Sequence, residues 1–123
     1  MGGKVQDSDT VSVLDPGPLT EAFGSFGAEA LAMLDLFVHS IRPLIASAIL
    51  GLDQGAARLA ADSAHSAKGA ANVTGAFRLG AVCQRIERLA TLGDLNAARL
   101  AARELEPALA EVVREIERLK GEA

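Results

Sequence analysis

The chain has 123 residues; half of them are hydrophobic, but only 3% are aromatic, and neither Trp nor Tyr occurs. Strands favour aromatic and β-branched side chains whereas Ala and Leu are good helix formers, so this composition predicts one all-helical domain and argues against a β-sandwich or barrel. The net charge of −4 supplies no basic field for nucleic acid, and the scarcity of aromatic rings removes the usual platform for stacking bases.

Cysteine and histidine usage narrows the class further. The single Cys83 excludes an internal disulfide and a Cys-based zinc cluster, and it suits a reducing cytoplasm. The two histidines, His39 and His65, share no metal-ligand spacing with each other or with the cysteine. The first residues lack the apolar run of a signal peptide, and charged residues and Pro43 interrupt the longest apolar stretches. We therefore expect a soluble cytoplasmic domain that binds no metal, no nucleic acid and no membrane.

The first helix is predicted to begin at Asp15. Residues 1–13 are polar and irregular and predict a flexible arm, so that 14–121 would form the folded domain. The pair Asp15-Pro16 is typical of a helix start, with Asp as the N-cap and Pro in the first helical position. A short helix over 16–24 follows.

A long second helix is predicted over 28–50. Its apolar residues recur at the three- and four-residue steps of a helix: Leu31, Leu34, Val38, Ile41, Ile45 and Ile49. Pro43 removes one backbone hydrogen bond and predicts a kink, and two helices that meet near Arg42 are the alternative. Gly51 and Asp53 are interpreted as the end of this helix and the N-cap of the next.

Three further helices complete the predicted fold. An alanine-rich helix covers 54–72, a fourth helix covers 76–91, and a last helix covers 95–120 after a stop-and-cap pair at 93–94. Pro107 predicts a kink in the last helix. Short links between long helices favour antiparallel neighbours, so we expect an up-down-up-down four-helix bundle with a short additional N-terminal helix.

The stretch 62–71 carries the clearest chemical signal. On a helix, His65 lies three residues from Lys68 and four from Gly69, which places all three positions on one face. Glycine inside a helix is less favourable than alanine by about 1 kcal/mol, and its missing side chain leaves room beside the imidazole. Lys68 places a positive charge where an anion on His65 would lie. The residues alone permit two interpretations: an imidazole that carries or contacts an anion, or a solvated histidine with incidental neighbours.

The same residues resemble the signature of the histidine-containing phosphotransfer (HPt) domain family. That signature is a small residue, His, two positions, Lys, Gly, two small residues, three positions and a second Gly. This chain has Ala64-His65-Ser66-Ala67-Lys68-Gly69-Ala70-Ala71-Asn72-Val73-Thr74-Gly75. The resemblance covers about 15–120, with Leu36-Phe37-Val38 and Asp53 upstream and Leu79, Val82, Cys83, Ile86 and Glu87 downstream. It departs from the commonest pattern at Ala67 and at 72–74.

The resemblance implies roles for individual residues. His65 would accept a phosphoryl group on Nε2, Lys68 would steady the phosphoryl oxygens, and Gly69 would keep the site open. Some members carry Glu or Gln at the place of Glu87, 22 positions after the histidine, where it binds the imidazole. A carboxylate that accepts from Nδ1–H would fix the tautomer and leave the Nε2 lone pair outward. Gln84, one turn earlier, is the substitute, and a Glu87 that touches nothing is the alternative.

The function that the resemblance implies is a phosphocarrier of a multistep phosphorelay. The expected partners are a response-regulator receiver domain and a hybrid histidine kinase, with Mg²⁺ only on the receiver and no cofactor of its own. No glycine-rich nucleotide loop occurs, so an enzyme with its own ATP site is not expected. We expect a monomer. The alternative function is a helical interaction module of the same shape that binds or sequesters a receiver without transfer.

Three other features receive plainer interpretations. His39 is expected to be a partly buried or rim histidine, and Cys83 to be a core residue. Leu36 and Phe37 are expected to form a partly exposed apolar surface beside the His65 helix, where a partner docks.

Overall fold

The computed structural model describes residues 12–122 and contains six helices and no strand in that range. They are α1 (Gly17–Phe23), α2 (Ala28–Asp53), α3 (Ala57–Thr74), α4 (Phe77–Thr91), α5 (Leu95–Ala102) and α6 (Leu105–Glu122). Helices α2, α3 and α4 and the α5–α6 pair pack as a bundle, and the short α1 contacts α2 and α3. The predicted all-helical bundle with an additional N-terminal helix is confirmed.

The core is built unequally by the four arms of the bundle. Its large side chains come from α2, α4 and α6: Leu34, Ile41, Ile45, Leu52, Leu79, Ile86, Leu105, Leu109 and Val112. Helix α3 contributes small residues instead: Ala60, Ser63, Ala64, Ala67, Ala71 and Thr74. Burial of one large aliphatic side chain stabilises a fold by about 1.5–3 kcal/mol, so most of the hydrophobic stability lies outside α3.

Helix α2 differs from its prediction at both glycine and proline. It is continuous through Pro43, so the alternative of two helices is wrong. It also runs through Gly51 to Asp53, so Gly51 does not end it and Asp53 does not cap α3. A Cβ at Gly51 would lie 2.7 Å from the backbone nitrogen of Ala60. This glycine therefore allows α2 and α3 to approach closely.

A side chain from α5 secures the end of α2. The Arg99 guanidinium donates from Nη2 and Nε to the carbonyl oxygen of Leu52, at 2.8 and 3.1 Å. A helix leaves its last carbonyls without helical partners, and a cation there also complements the helix dipole. The additional turn of α2 beyond residue 50 is thus stabilised by a residue 47 positions away in sequence.

The predicted last helix is divided into α5 and α6. Asp94 caps α5 as predicted, with its Oδ1 accepting from the Ala97 amide at 3.1 Å. The break lies at 103–104, and Pro107 belongs to the first turn of α6. Proline has no N–H and its ring clashes with the carbonyl four residues earlier, which here belongs to Arg103. The kink predicted at Pro107 is therefore a break placed one turn before it.

The segment before α1 lies across the turn between α3 and α4. The Asp15 amide donates to the Gly75 carbonyl at 2.8 Å, and the Arg78 amide donates to the Ser12 carbonyl at 3.0 Å. Asp15 Oδ1 also accepts from the Gly17 amide, although α1 begins one residue later than predicted. Gly75 has a φ of 90°, which favours glycine. Of the predicted arm, residues 1–11 lie outside the described residues.

One described helix, α2, is long and apolar enough to cross a membrane, with a mean hydropathy of 1.5 over its best window. Core helices of bundles pass the same test. Here Leu34 and Ile41 are buried in the bundle, and Asp35 pairs with Lys120 of α6 at 2.8 Å. Part of this apolar surface therefore packs within the protein.

Candidate functional site

Helix α3 presents His65 to solvent because its opposite face is buried. Ala64 and Ala67 lie in the core, and the turn of 100° per residue carries position 65 away from them. The His65 side chain is 65% exposed. Gly69 and Val73 follow at four-residue steps and are also exposed. The histidine therefore lies on an open helical face.

Glu87 of α4 binds the imidazole. Its Oε2 lies 2.8 Å from His65 Nδ1. Ile86 is buried in the core, so the next position falls at the edge of α4 that faces α3. Gln84 makes no hydrogen bond to His65 in the described part of the chain. Between the two candidates for this contact, the structure selects Glu87.

The same carboxylate also binds Lys68. Its Oε1 lies 2.9 Å from Lys68 Nζ, and the Lys68 and Glu87 side chains are only 25% and 26% exposed. Sequence reasoning placed Lys68 beside His65 but missed this ion pair. The spacing of Lys68 on the histidine face, with one acid opposite, was the available signal; the register between α3 and α4 was not readable from it.

The ion pair determines the charge of Glu87. Partial burial raises the pKa of its carboxyl, but hydrogen bonds from Lys68 and His65 outweigh that effect and hold the pKa below its ordinary value. The group is therefore a carboxylate at neutral pH and can only accept hydrogen bonds. The hydrogen of a neutral His65 ring then lies on Nδ1, and the lone pair lies on Nε2.

The other ring nitrogen faces open space. No described residue makes a hydrogen bond to His65 Nε2. A Cβ placed on Gly69 would meet nothing within 4 Å, so the protein's own packing does not require glycine there. The structure thus brings His65, Lys68 and Glu87 together and leaves the Gly69 side of the ring open. Their roles in transfer stay predictions.

A shallow groove adjoins the three residues on the α4 side. It is lined by Lys68, Gln84, Glu87, Arg88, Thr91 and Leu92. Arg88 and Leu92 are exposed. The sequence analysis treated Arg88 as an ordinary surface residue, and only the packing of α4 beside Lys68 shows that it borders the site.

The remaining candidates lie apart from this cluster. Phe37 is buried in the core, whereas Leu36 is exposed, so the expected docking surface is divided between these two residues. His39 is exposed on α2. Cys83 is buried, and burial raises the pKa of its thiol to about 12, as expected of a core residue. Among residues 12–122 no three His, Cys, Asp or Glu side chains are grouped as metal ligands.

Comparison with known proteins gives one match. The family model described as "Hpt domain" matches residues 32–122, which include α3, α4 and the three clustered residues. No curated protein and no solved structure matches the chain.

Proposed function

Because this chain belongs to the HPt domain family, whose members are phosphocarrier modules of two-component signalling rather than catalytic domains, we propose that it carries a phosphoryl group on His65 in a multistep phosphorelay. The observation that supports this most directly is the 2.8 Å contact between His65 Nδ1 and Glu87. It directs the unprotonated Nε2 outward, to where a donor phosphoryl group would arrive.

The transfer needs little from the protein except position and charge. The Nε2 lone pair attacks the phosphorus of an aspartyl phosphate, the N–P bond forms, and the P–O bond breaks with its electron pair left on the aspartate carboxylate. Such transfers depend chiefly on alignment and on stabilisation of the phosphoryl oxygens.

Lys68 supplies the stabilising charge. Its ammonium carries three N–H donors, of which one binds Glu87, so two remain for phosphoryl oxygens. Gly69 leaves the approach to the ring open, since no side chain occupies the space one turn beyond His65. No cofactor of its own is proposed; the receiver would bring its aspartate and Mg²⁺.

The proposed partners are a receiver domain and a hybrid histidine kinase in the cytoplasm, met by a monomeric carrier. Exposed apolar side chains on α2 and α3 provide contact area for docking: Leu36, Leu50, Leu59 and Val73. Val73 lies on the His65 stripe of α3, two turns further on. Burial of such side chains on docking provides binding free energy without a large charged surface.

The test is incubation with phosphorylated receiver domains and with candidate kinases. We expect an acid-labile phosphohistidine in the native chain and none in His65→Gln. The matched control is His39→Gln, which removes the other exposed histidine and should leave uptake unchanged. Phosphate uptake that persists in His65→Gln would contradict the proposal. Receiver binding and signalling that survive in His65→Gln would instead support a module that acts by binding alone.

A further inference from the structure

The Glu87 carboxylate is held in place from both sides. One oxygen binds His65 Nδ1 and the other binds Lys68 Nζ. Rotation away from the ring would also disturb the contact with Lys68. The pair of Lys68 and Glu87 is far less exposed than the ring itself, so the acceptor is better ordered than a solvated surface carboxylate.

This arrangement matters most after phosphorylation. The attacking ring already carries a hydrogen on Nδ1, so formation of the N–P bond at Nε2 produces a positively charged phosphoimidazolium. If that hydrogen is then lost to water, the ring becomes neutral. Onward transfer from a neutral ring would expel an imidazolate anion, which is a far poorer leaving group than neutral imidazole.

We propose that Glu87 is a positioning residue that retains the Nδ1 proton of phosphorylated His65 and so keeps the phosphoryl group transferable; the inference rests on the proposed function. In the onward step the N–P bond breaks, its electron pair returns to Nε2, and the neutral Nδ1–H imidazole is regenerated. The proton stays on Nδ1 throughout, so no additional acid, base or co-reactant is needed.

The charged groups around the ring favour this assignment. On α3, Arg58 and Asp62 pair with each other at 3.5 Å, and Lys68 is bound to the far oxygen of Glu87. On α4, Arg88 borders the adjoining groove. Helix α2 carries no charged residue over 43–52, the part that packs against α3 near Gly51. Glu87 is thus the one acid among the described residues that contacts the ring.

The experiment compares Glu87→Gln with the native chain after phosphorylation by phosphoramidate, which needs no receiver. The amide can still accept from Nδ1–H, and it can also donate to a deprotonated Nδ1, so the substitution removes mainly the charge. Glu104→Gln is the matched control, because it makes the same change in an ion pair with Arg85. Nitrogen-15 and phosphorus-31 resonances of the ring report Nδ1 protonation and N–P hydrolysis across a pH series.

We expect the midpoint pH of Nδ1 deprotonation to fall in Glu87→Gln and, above that midpoint, the phosphohistidine to last about fivefold longer, the factor that corresponds to a partly exposed ion pair. Glu104→Gln should match the native chain. Equal midpoints and lifetimes in the native chain and Glu87→Gln would overturn the inference, as would failure of phosphoramidate to modify His65 Nε2. Modification by phosphoramidate without exchange with any receiver or kinase would instead refute the proposed function alone.

Discussion

Two glycines inside helices, Gly51 in α2 and Gly69 in α3, relate to the rest of the chain in opposite ways. A Cβ at Gly51 would lie within 3.1 Å of three backbone atoms of the α3 start, whereas a Cβ at Gly69 would meet nothing within 4 Å. Each glycine weakens its helix by about 1 kcal/mol relative to alanine. The close approach of α2 and α3 explains the first. Nothing within the described chain explains the second, so its reason lies in what the chain binds.

The largest stability effect is expected at the first of these positions. Gly51→Ala forces a Cβ against the Ala60 backbone, which cannot rotate away as a side chain could. Overpacking of this kind destabilises a fold by about 1–3 kcal/mol, even after the gain in helix propensity. Urea unfolding measures the change. Molecules that remain folded should still take up phosphate on His65, and unchanged stability would contradict the packing account.

The second position should give the opposite pattern. Gly69→Leu is expected to leave the free energy of unfolding unchanged or to raise it by up to about 1 kcal/mol. Transfer from a phosphorylated receiver should fall at least about tenfold, because the branched side chain would obstruct the approach to His65. Phosphorylation by phosphoramidate, a small donor, should be far less affected. Equal losses with both donors would mean that the substitution disturbs the ring itself.

An intermediate effect is expected from acid. Glu87 has a lowered pKa in the folded protein, so its ionised form stabilises the fold above the unfolded-state pKa, and that contribution is lost as pH falls through the folded-state value. The native chain should therefore be more stable than Glu87→Gln at neutral pH, and the difference should shrink below about pH 4.5. Thermal unfolding of both proteins over pH 3–7 measures it. A difference that grows on acidification would contradict this sign.

The smallest effect is expected on α6. Arg118 pairs with Glu115 and Glu122 three and four residues away, on an exposed part of one helix. Such local pairs contribute a few tenths of a kcal/mol. Glu115→Gln should therefore change stability by less than about 0.5 kcal/mol and leave transfer unaltered, as urea unfolding and the receiver assay would show. Glu87 differs because it joins two helices and two partners.

Local signals in the sequence predicted what local physics controls. The helical periods, the Asp94 cap and the break associated with Pro107 all depend on neighbours within one turn or two. Gly51 and Asp53 were misinterpreted because a glycine before an aspartate resembles a stop and a cap. Here a tertiary contact with Ala60 requires the glycine, and Arg99 supports the helix end.

The candidate site shows the same division. The 22-residue spacing correctly brought Glu87 opposite His65, because both lie a similar distance from the turn at 74–75. The ion pair between Lys68 and Glu87 was not predicted, since it depends on the axial register and rotation of α4 against α3. That register follows in part from Gly80, where a Cβ would lie 2.3 Å from Asn72 Oδ1, and no periodicity announces such a contact.

The alanine face of α3 has a consequence for how such a carrier can diverge. Its buried positions hold only small residues, so the side chains that could distinguish one partner from another all project from the opposite side. Substitutions there leave the large core residues of α2, α4 and α6 untouched. Partner choice and thermodynamic stability are therefore encoded by separate sets of residues, and a lineage of duplicated copies could acquire new partners without passing through poorly folded intermediates.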